Sequence, residues 1–228
     1  MVGGGRKAPK NHLGERQIKV LELFAGSCTL SKTAREYGHE AYTVDIHGYN
    51  DIDLQTDILY LTPEKISFKP DVVWASPPCT SFSVASIGYH WQGGNKAYIP
   101  KTSQAYIGLA LVKKTLEIIQ YLKPQYWYME NPRGLLRKLH VVQDLPIRHT
   151  ISFCQYGDIR MKPTDIWTNS KSWKPRDMCK NSNPDCHHER APRGSRTGTQ
   201  GLKGAHERGI LPTELCLEIV QDFNGISN

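Results

Sequence analysis

Cys79 lies in the run Ala75-Ser76-Pro77-Pro78-Cys79-Thr80-Ser81, directly after the apolar segment Val72-Val73-Trp74. A second apolar run, Tyr126-Trp127-Tyr128-Met129, ends in Glu130-Asn131-Pro132. One run delivers a thiol and the other a carboxylic acid, each at the end of a strand-like segment. The two prolines ahead of Cys79 fix φ and hold the chain extended, so the thiol is presented rather than packed. Polar Thr80, Ser81 and Ser83 around it argue against a buried, inert cysteine. A thiol attacks as its thiolate. A carboxyl group desolvated by apolar neighbours keeps its proton to higher pH and can donate it near neutrality. The pair predicts covalent chemistry on a base or carbonyl, with Cys79 as nucleophile and Glu130 as acid. A helix N-cap is the bland alternative at this place, and Asn131 fits that role better than Glu130.

Elements must bring the two together. Residues 18–24 read as a buried strand, 41–45 as a second, and a short third ends near Asp57. Residues 71–75 and 125–130 are further strands, and 149–155 with 164–168 suit a closing pair. Helices are expected at 31–37, stopped by Gly38, and at 103–122, where Leu109, Val112, Leu116 and Ile119 fall at helical spacing. Pro212 opens another to about residue 223. Strands alternating with helices imply a doubly wound α/β fold with a mostly parallel sheet. In such sheets ligands bind outside the carboxyl ends of the strands, where Cys79 and Glu130 emerge. The organisation expected is a flexible basic arm at 1–16, a catalytic domain at 17–170, a short irregular insert at 171–205 and a returning helix at 206–228.

The bulk numbers narrow the setting. Lys and Arg number 29 against 22 Asp and Glu, a formal charge of +7. A basic balance favours a polyanionic partner, most often nucleic acid; a merely soluble basic protein is the alternative. The N-terminus lacks the apolar stretch of a secretory signal, and no apolar run approaches the ~20 residues of a membrane span. The six cysteines are therefore expected to be reduced, in a cytoplasmic, monomeric protein without a membrane partner.

The turn Phe24-Ala25-Gly26-Ser27 follows the first strand, where a glycine lets backbone pass close to a ligand. A structural tight turn would look the same. Asp45, about twenty residues on at the end of the second strand, is placed to accept hydrogen bonds from ribose hydroxyls. Asp57 is a candidate for an adenine amino group, with an exposed loop carboxylate as the equal alternative. Pro77, opening the Pro-Pro turn, joins this cofactor set. No phosphate-binding lysine motif occurs, which argues against nucleoside triphosphates.

Taken together, these residues resemble the DNA cytosine-5 methyltransferases. The nucleophile motif of that family is matched by Pro78-Cys79, and its Glu-Asn-Val motif by Glu130-Asn131-Pro132. Its Phe-x-Gly-x-Gly motif is matched by Phe24-Ala25-Gly26-Ser27-Cys28, with Cys28 at the second glycine. Asp158-Ile159-Arg160-Met161-Lys162 stands for Gln-x-Arg-x-Arg, and Gly209-Ile210-Leu211-Pro212 for the closing Gly-Asn-x-Val-Pro element. The resemblance runs from about 18 to 170 and again from 206 to 223. It implies the S-adenosylmethionine-dependent methyltransferase (Rossmann-like) fold and methylation of cytosine carbon 5 in double-stranded DNA. Cys79 would add to carbon 6 while Glu130 protonates nitrogen 3, on a base flipped out of the duplex. Arg160 would help hold the flipped nucleotide, and the loop from Thr80 to Lys101 would close over the DNA. Enzymes that methylate exocyclic amines place an aromatic residue after a similar Pro-Pro turn; Cys79 stands there instead. The compact form resembles a phage-type member, acting in a bacterial or phage-infected cell.

The insert is too short for much base readout. Its Lys171, Lys174, Arg176, Lys180, Arg190, Arg193 and Arg196 suit phosphate contacts that position without specifying. Cys179, Cys186 and His187 are candidate ligands of a structural zinc, with the fourth unidentified; reduced cysteines and exposed histidines are the alternative. The short insert also keeps two other readings open: the same chemistry on RNA, single strands or a free cytidine nucleotide, and a nucleic-acid-binding homologue without turnover.

Overall fold

The computed structural model describes residues 16–94, 97–190, 202 and 204–225. In chain order they form β1 (Lys19–Leu23), α1 (Thr29–Glu36), β2 (Glu40–Asp45), β3 (Leu54–Gln55), β4 (Val72–Ala75), α2 (Ile87–His90), β5 (Trp91–Gln92), β6 (Ile99–Pro100), α3 (Ser103–Leu122), β7 (Tyr126–Pro132), β8 (Ile147–Ser152), β9 (Pro163–Thr168), α4 (Ala205–Gly209) and α5 (Thr213–Asn224). The main sheet has the order β3-β2-β1-β4-β7-β9-β8. Its first five strands are parallel, and β9 runs antiparallel to both neighbours. The expected doubly wound, mostly parallel α/β sheet is the one observed.

Alternation along each strand divides the core into two layers. Leu21, Leu23, Val73, Ala75, Trp127 and Met129 pack on one side with α3. Val20, Val72, Trp74, Tyr128 and Ile166 pack on the other with Leu30 and Ala34 of α1 and Leu215, Ile219 and Phe223 of α5. Both faces are covered, which is why the central strands read as continuous apolar runs rather than alternating ones.

Helix α3 begins where the Thr102 hydroxyl accepts from Ala105 N at 3.3 Å. Its most buried positions are Ala105, Gly108, Leu111, Val112, Thr115, Ile118, Ile119 and Leu122. The buried stripe is thus rotated from the one expected, leaving Leu109 and Leu116 at its margin. Helix α1 has no side-chain cap of its own. Glu22, one strand back and 2% exposed, accepts from Ser31 N at 2.9 Å in its first turn. Trp173, past the expected boundary at 170, is buried in the α5 layer.

The long loop after Cys79 has a fixed base. Trp91 is buried, donates from Nε1 to Ser81 O at 2.7 Å and packs on Phe82. His90 Nδ1 lies 2.7 Å from Thr102 Oγ1. Gly93 turns the chain with φ 88, where a Cβ would fall 2.0 Å from Ala97 O.

Candidate active site

Strands β4 and β7 are parallel neighbours, with Ala75 paired to Met129. Cys79 and Glu130 therefore leave the same edge of the sheet. Asn131, fully buried, joins the two segments: its Nδ2 donates to Pro77 O at 2.8 Å. A second joint lies just beyond, where Leu135 N donates to Phe82 O at 2.8 Å. Gly134 is needed for that approach, since a Cβ there would sit 2.4 Å from the Phe82 carbonyl oxygen. Asn131 is thus a tie from the end of β7 to the Pro-Pro-Cys turn, not a helix cap.

Glu130 is 5% exposed, and its Oε1 has no hydrogen-bond partner. Lys162 Nζ lies 3.7 Å from that oxygen, an ion pair too long for a hydrogen bond. Burial pushes the Glu130 carboxyl up, and Lys162 partly offsets this. Burial likewise raises the Cys79 thiol, Lys162 lowers it and Glu130 raises it. Lys162 and Glu130 thus bias the half-buried thiol in opposite directions, with burial the larger effect on both the thiol and the acid.

Arg160, expected to help hold the flipped nucleotide, makes its contacts here within the protein. It is 4% exposed, and its guanidinium is held by the Asp158 carboxylate and by the carbonyls of Glu207, Arg208 and Ile210. It clasps the segment ahead of α5 to the β8–β9 connection. Lys162, two residues on, is the cation at Glu130 and also lies 4.4 Å over the Phe153 ring. The sequence carries a signal for this, because alternate residues of an extended stretch share a side, but not for which of the two cations reaches the acid.

The first-strand turn keeps an unusual backbone. Phe24, Gly26 and Cys28 have φ of 57, 48 and 55, so Cys28 adopts the left-handed conformation of the glycine it replaces. Its thiol is buried and pushed up to about 11, chiefly by burial. Asp45, at the end of β2, accepts from Gly26 N at 3.0 Å and from His47 N at 2.8 Å. Asp57 caps a 3-10 turn, accepting from Leu59 N at 2.9 Å. Ile46, which sequence reasoning passed over, follows Asp45 with 54% of its surface exposed.

Two of the three expected metal ligands come together and the third does not. Cys179 and Cys186 converge with His188 and with Cys154 from the turn after β8. His187 is exposed, with Nε2 3.0 Å from Asp158 O. Neighbouring side chains leave the chain in different directions, and the one turned inward is His188. Cys154 lies too far back in the chain to be paired with Cys179 by spacing. Of the insert's cations, Arg176 is bound to Glu214 at 2.6 Å and Glu218 at 3.2 Å; Arg193 and Arg196 fall outside the described residues, as does the arm at 1–15.

A sheet of this order, with the cysteine turn tied to the strand end that carries the acid, belongs to the doubly wound α/β class. Residues 17–156 match the family of C-5 cytosine-specific DNA methylases. The chain is also 31% identical, over 203 residues, to the "Probable DNA (cytosine-5)-methyltransferase" of Frog virus 3 (isolate Goorha), spanning 84% of this chain and 92% of that one. The protein belongs to the C-5 cytosine-specific DNA methylase family: it is a cytosine-5 methyltransferase that uses S-adenosylmethionine. Two solved structures are similar to it. The S. pombe Dnmt2 methyltransferase gives a TM-score of 0.46 at 15% identity, covering 67% of this chain and 49% of that one. Entamoeba histolytica EhMeth gives 0.49 at 14%, covering 73% and 58%. No helix among the described residues is long and apolar enough to cross a membrane.

Proposed function

We propose that the protein methylates carbon 5 of a cytosine flipped out of double-stranded DNA, with Cys79 as covalent nucleophile and Glu130 as acid. The observation that carries this reading is the Asn131–Pro77 hydrogen bond of 2.8 Å. It locks the cysteine turn to the strand end that presents a buried carboxyl oxygen without a hydrogen-bond partner. Cys79 Sγ adds to carbon 6 of the ring while Glu130 gives its proton to nitrogen 3, which makes carbon 5 nucleophilic. Lys162 stabilises the Glu130 carboxylate as that proton leaves. S-adenosylmethionine supplies the electrophilic methyl group. Loss of the carbon 5 proton to solvent water, expulsion of the Cys79 thiolate and return of the nitrogen 3 proton to Glu130 then restore the neutral aromatic ring. Arg160 acts as a positioning residue, holding the β8–β9 connection on which Lys162 stands.

The residues at the first turn fit the cofactor. Each Asp45 oxygen accepts one backbone N–H, and a carboxylate oxygen has capacity for a further donor such as a ribose hydroxyl. Ile46 offers an exposed apolar surface beside it for a purine face. Phe24, Ala25, Gly26 and Ser27 would line the same turn, with Pro77 on the adjoining strand end. Asp57 has the capping role described above as well as any contact to the adenine.

The test is transfer of label from S-adenosylmethionine to duplex DNA, RNA and dCMP in parallel. Label on the duplex is expected; label on RNA or nucleotide alone would overturn the substrate. A duplex carrying 5-fluorocytosine at the target should trap a covalent complex with the native protein and none with Cys79→Ala. Undiminished transfer by Cys79→Ala would overturn the mechanism.

A further inference from the structure

Residues 174–190 contain no helix or strand, and their only buried residues are Cys179 and His188. A segment without apolar side chains to bury cannot offset its own ordering entropy, so something else must hold it. Both buried residues belong to one cluster. The Sγ atoms of Cys154, Cys179 and Cys186 and a ring nitrogen of His188 all lie within 4.8 Å of one another. We propose that these four residues bind one structural zinc ion that fastens the insert to the turn beneath Arg160 and Lys162.

The geometry is close to a coordination shell. Zinc–sulfur and zinc–nitrogen bonds of about 2.3 and 2.0 Å in a tetrahedron put neighbouring ligand atoms roughly 3.5–3.8 Å apart. Cys179 Sγ and His188 Nδ1 are already 3.7 Å apart. The other His188 nitrogen, Nε2, lies 3.4 Å from the carbonyl of Asn181, the kind of outer partner that orients a metal-bound imidazole and leaves Nδ1 for the ion. Amide donors face the sulfurs: Gln155 Nε2 is 3.9 Å from Cys154 Sγ and 4.0 Å from Cys186 Sγ. Asn183 Nδ2 is 3.7 Å from Cys179 Sγ. Such donors suit thiolates better than packed thiols. Three sulfurs and one imidazole in a closed shell select zinc over harder cations.

The location gives the ion its task. Cys154 belongs to the turn Phe153–Tyr156, and the Phe153 ring lies under Lys162 and Arg160. From the insert, Cys179 N donates to Ser152 Oγ at 3.0 Å and Glu189 N to Ile159 O at 2.9 Å. The zinc thus joins the insert to the connection that carries Lys162, and its binding does not depend on which substrate the methyltransferase takes.

Elemental analysis of the full-length protein, purified without chelator and reloaded with zinc, tests this independently of methyl transfer. One zinc per chain is expected. Cobalt(II) in its place should give the thiolate charge-transfer and visible bands of a tetrahedral site. Cys154→Ser and His188→Ala should each lose stoichiometric metal, and His187→Ala should keep it. If those substitutions unfold the chain, titrating native protein with a mercurial should release zinc in step with modification of three thiols. Folded native protein with no stoichiometric zinc would overturn the proposal. So would zinc retained equally by Cys154→Ser, His188→Ala and His187→Ala, or release unrelated to thiol modification.

Discussion

Burial raises both Cys79 and Glu130, but the charges between them act in opposite directions, and this separates their roles experimentally. An ionised Glu130 raises the thiol and Lys162 lowers it. Glu130→Gln should therefore speed alkylation of Cys79 by iodoacetamide at a given pH, while methyl transfer falls by about 10²–10⁴ through loss of the general acid. Lys162→Met should slow alkylation instead. An unchanged alkylation profile in both variants would show that the three groups do not share a site. Glu22 makes a separate prediction. Its carboxyl is raised from 4.5 to about 7, first by burial. Between those values the folded chain keeps a proton that the unfolded chain has released, so stability must fall as pH rises through this window. The full span is worth about 3 kcal/mol. Urea midpoints measured from pH 4.5 to 8 should decline for the native protein, and Glu22→Gln should flatten that part of the curve.

Elements here are held by a few polar joints laid over the two apolar layers. Asn131 ties the Pro-Pro-Cys turn to β7. Asn131→Ala should cost about 1–3 kcal/mol by leaving the Pro77 carbonyl unpaired in the core. It should lower kcat more than it changes cofactor affinity, because the tie aligns Cys79 with Glu130 and reaches the cofactor residues only through the Pro77 carbonyl. Equal losses in both would mean a general loosening of the sheet edge. Asp222 does similar service for α5, accepting from Tyr128, Ser170 and Ser172 hydroxyls. Asp222→Ala should lower the urea midpoint by an amount equivalent to about 2–4 kcal/mol, since three donors lose their acceptor, with substrate KM unchanged in the folded protein.

Across the whole molecule the net charge of +7 sets how DNA is met. Phosphate contacts release counterions, so affinity should fall steeply with salt and depend little on sequence. The exposed Lys171 and Lys180 are available for such contacts, whereas Arg176 is engaged by Glu214 and Glu218. Lys171→Ala with Lys180→Ala should weaken retention uniformly across sequences and reduce the salt slope by about 2. Arg176→Ala should act on thermal stability instead. A slope unchanged by the lysine pair would move the DNA path away from the insert.

The primary structure by itself determined the parallel sheet, the helix at 103–122, and the delivery of Cys79 and Glu130 to strand ends. These are local properties: apolar runs state burial, period states helix or strand, and two prolines present the residue that follows. Only the tertiary structure decided which partners those residues meet. Lys162 rather than Arg160 reaches Glu130, Asn131 bonds a carbonyl 54 positions away, and His188 with Cys154 replaces His187 in the thiol cluster. A chain's pattern sets the face on which each side chain emerges. The neighbour on that face comes from a distant segment, chosen by how the layers pack.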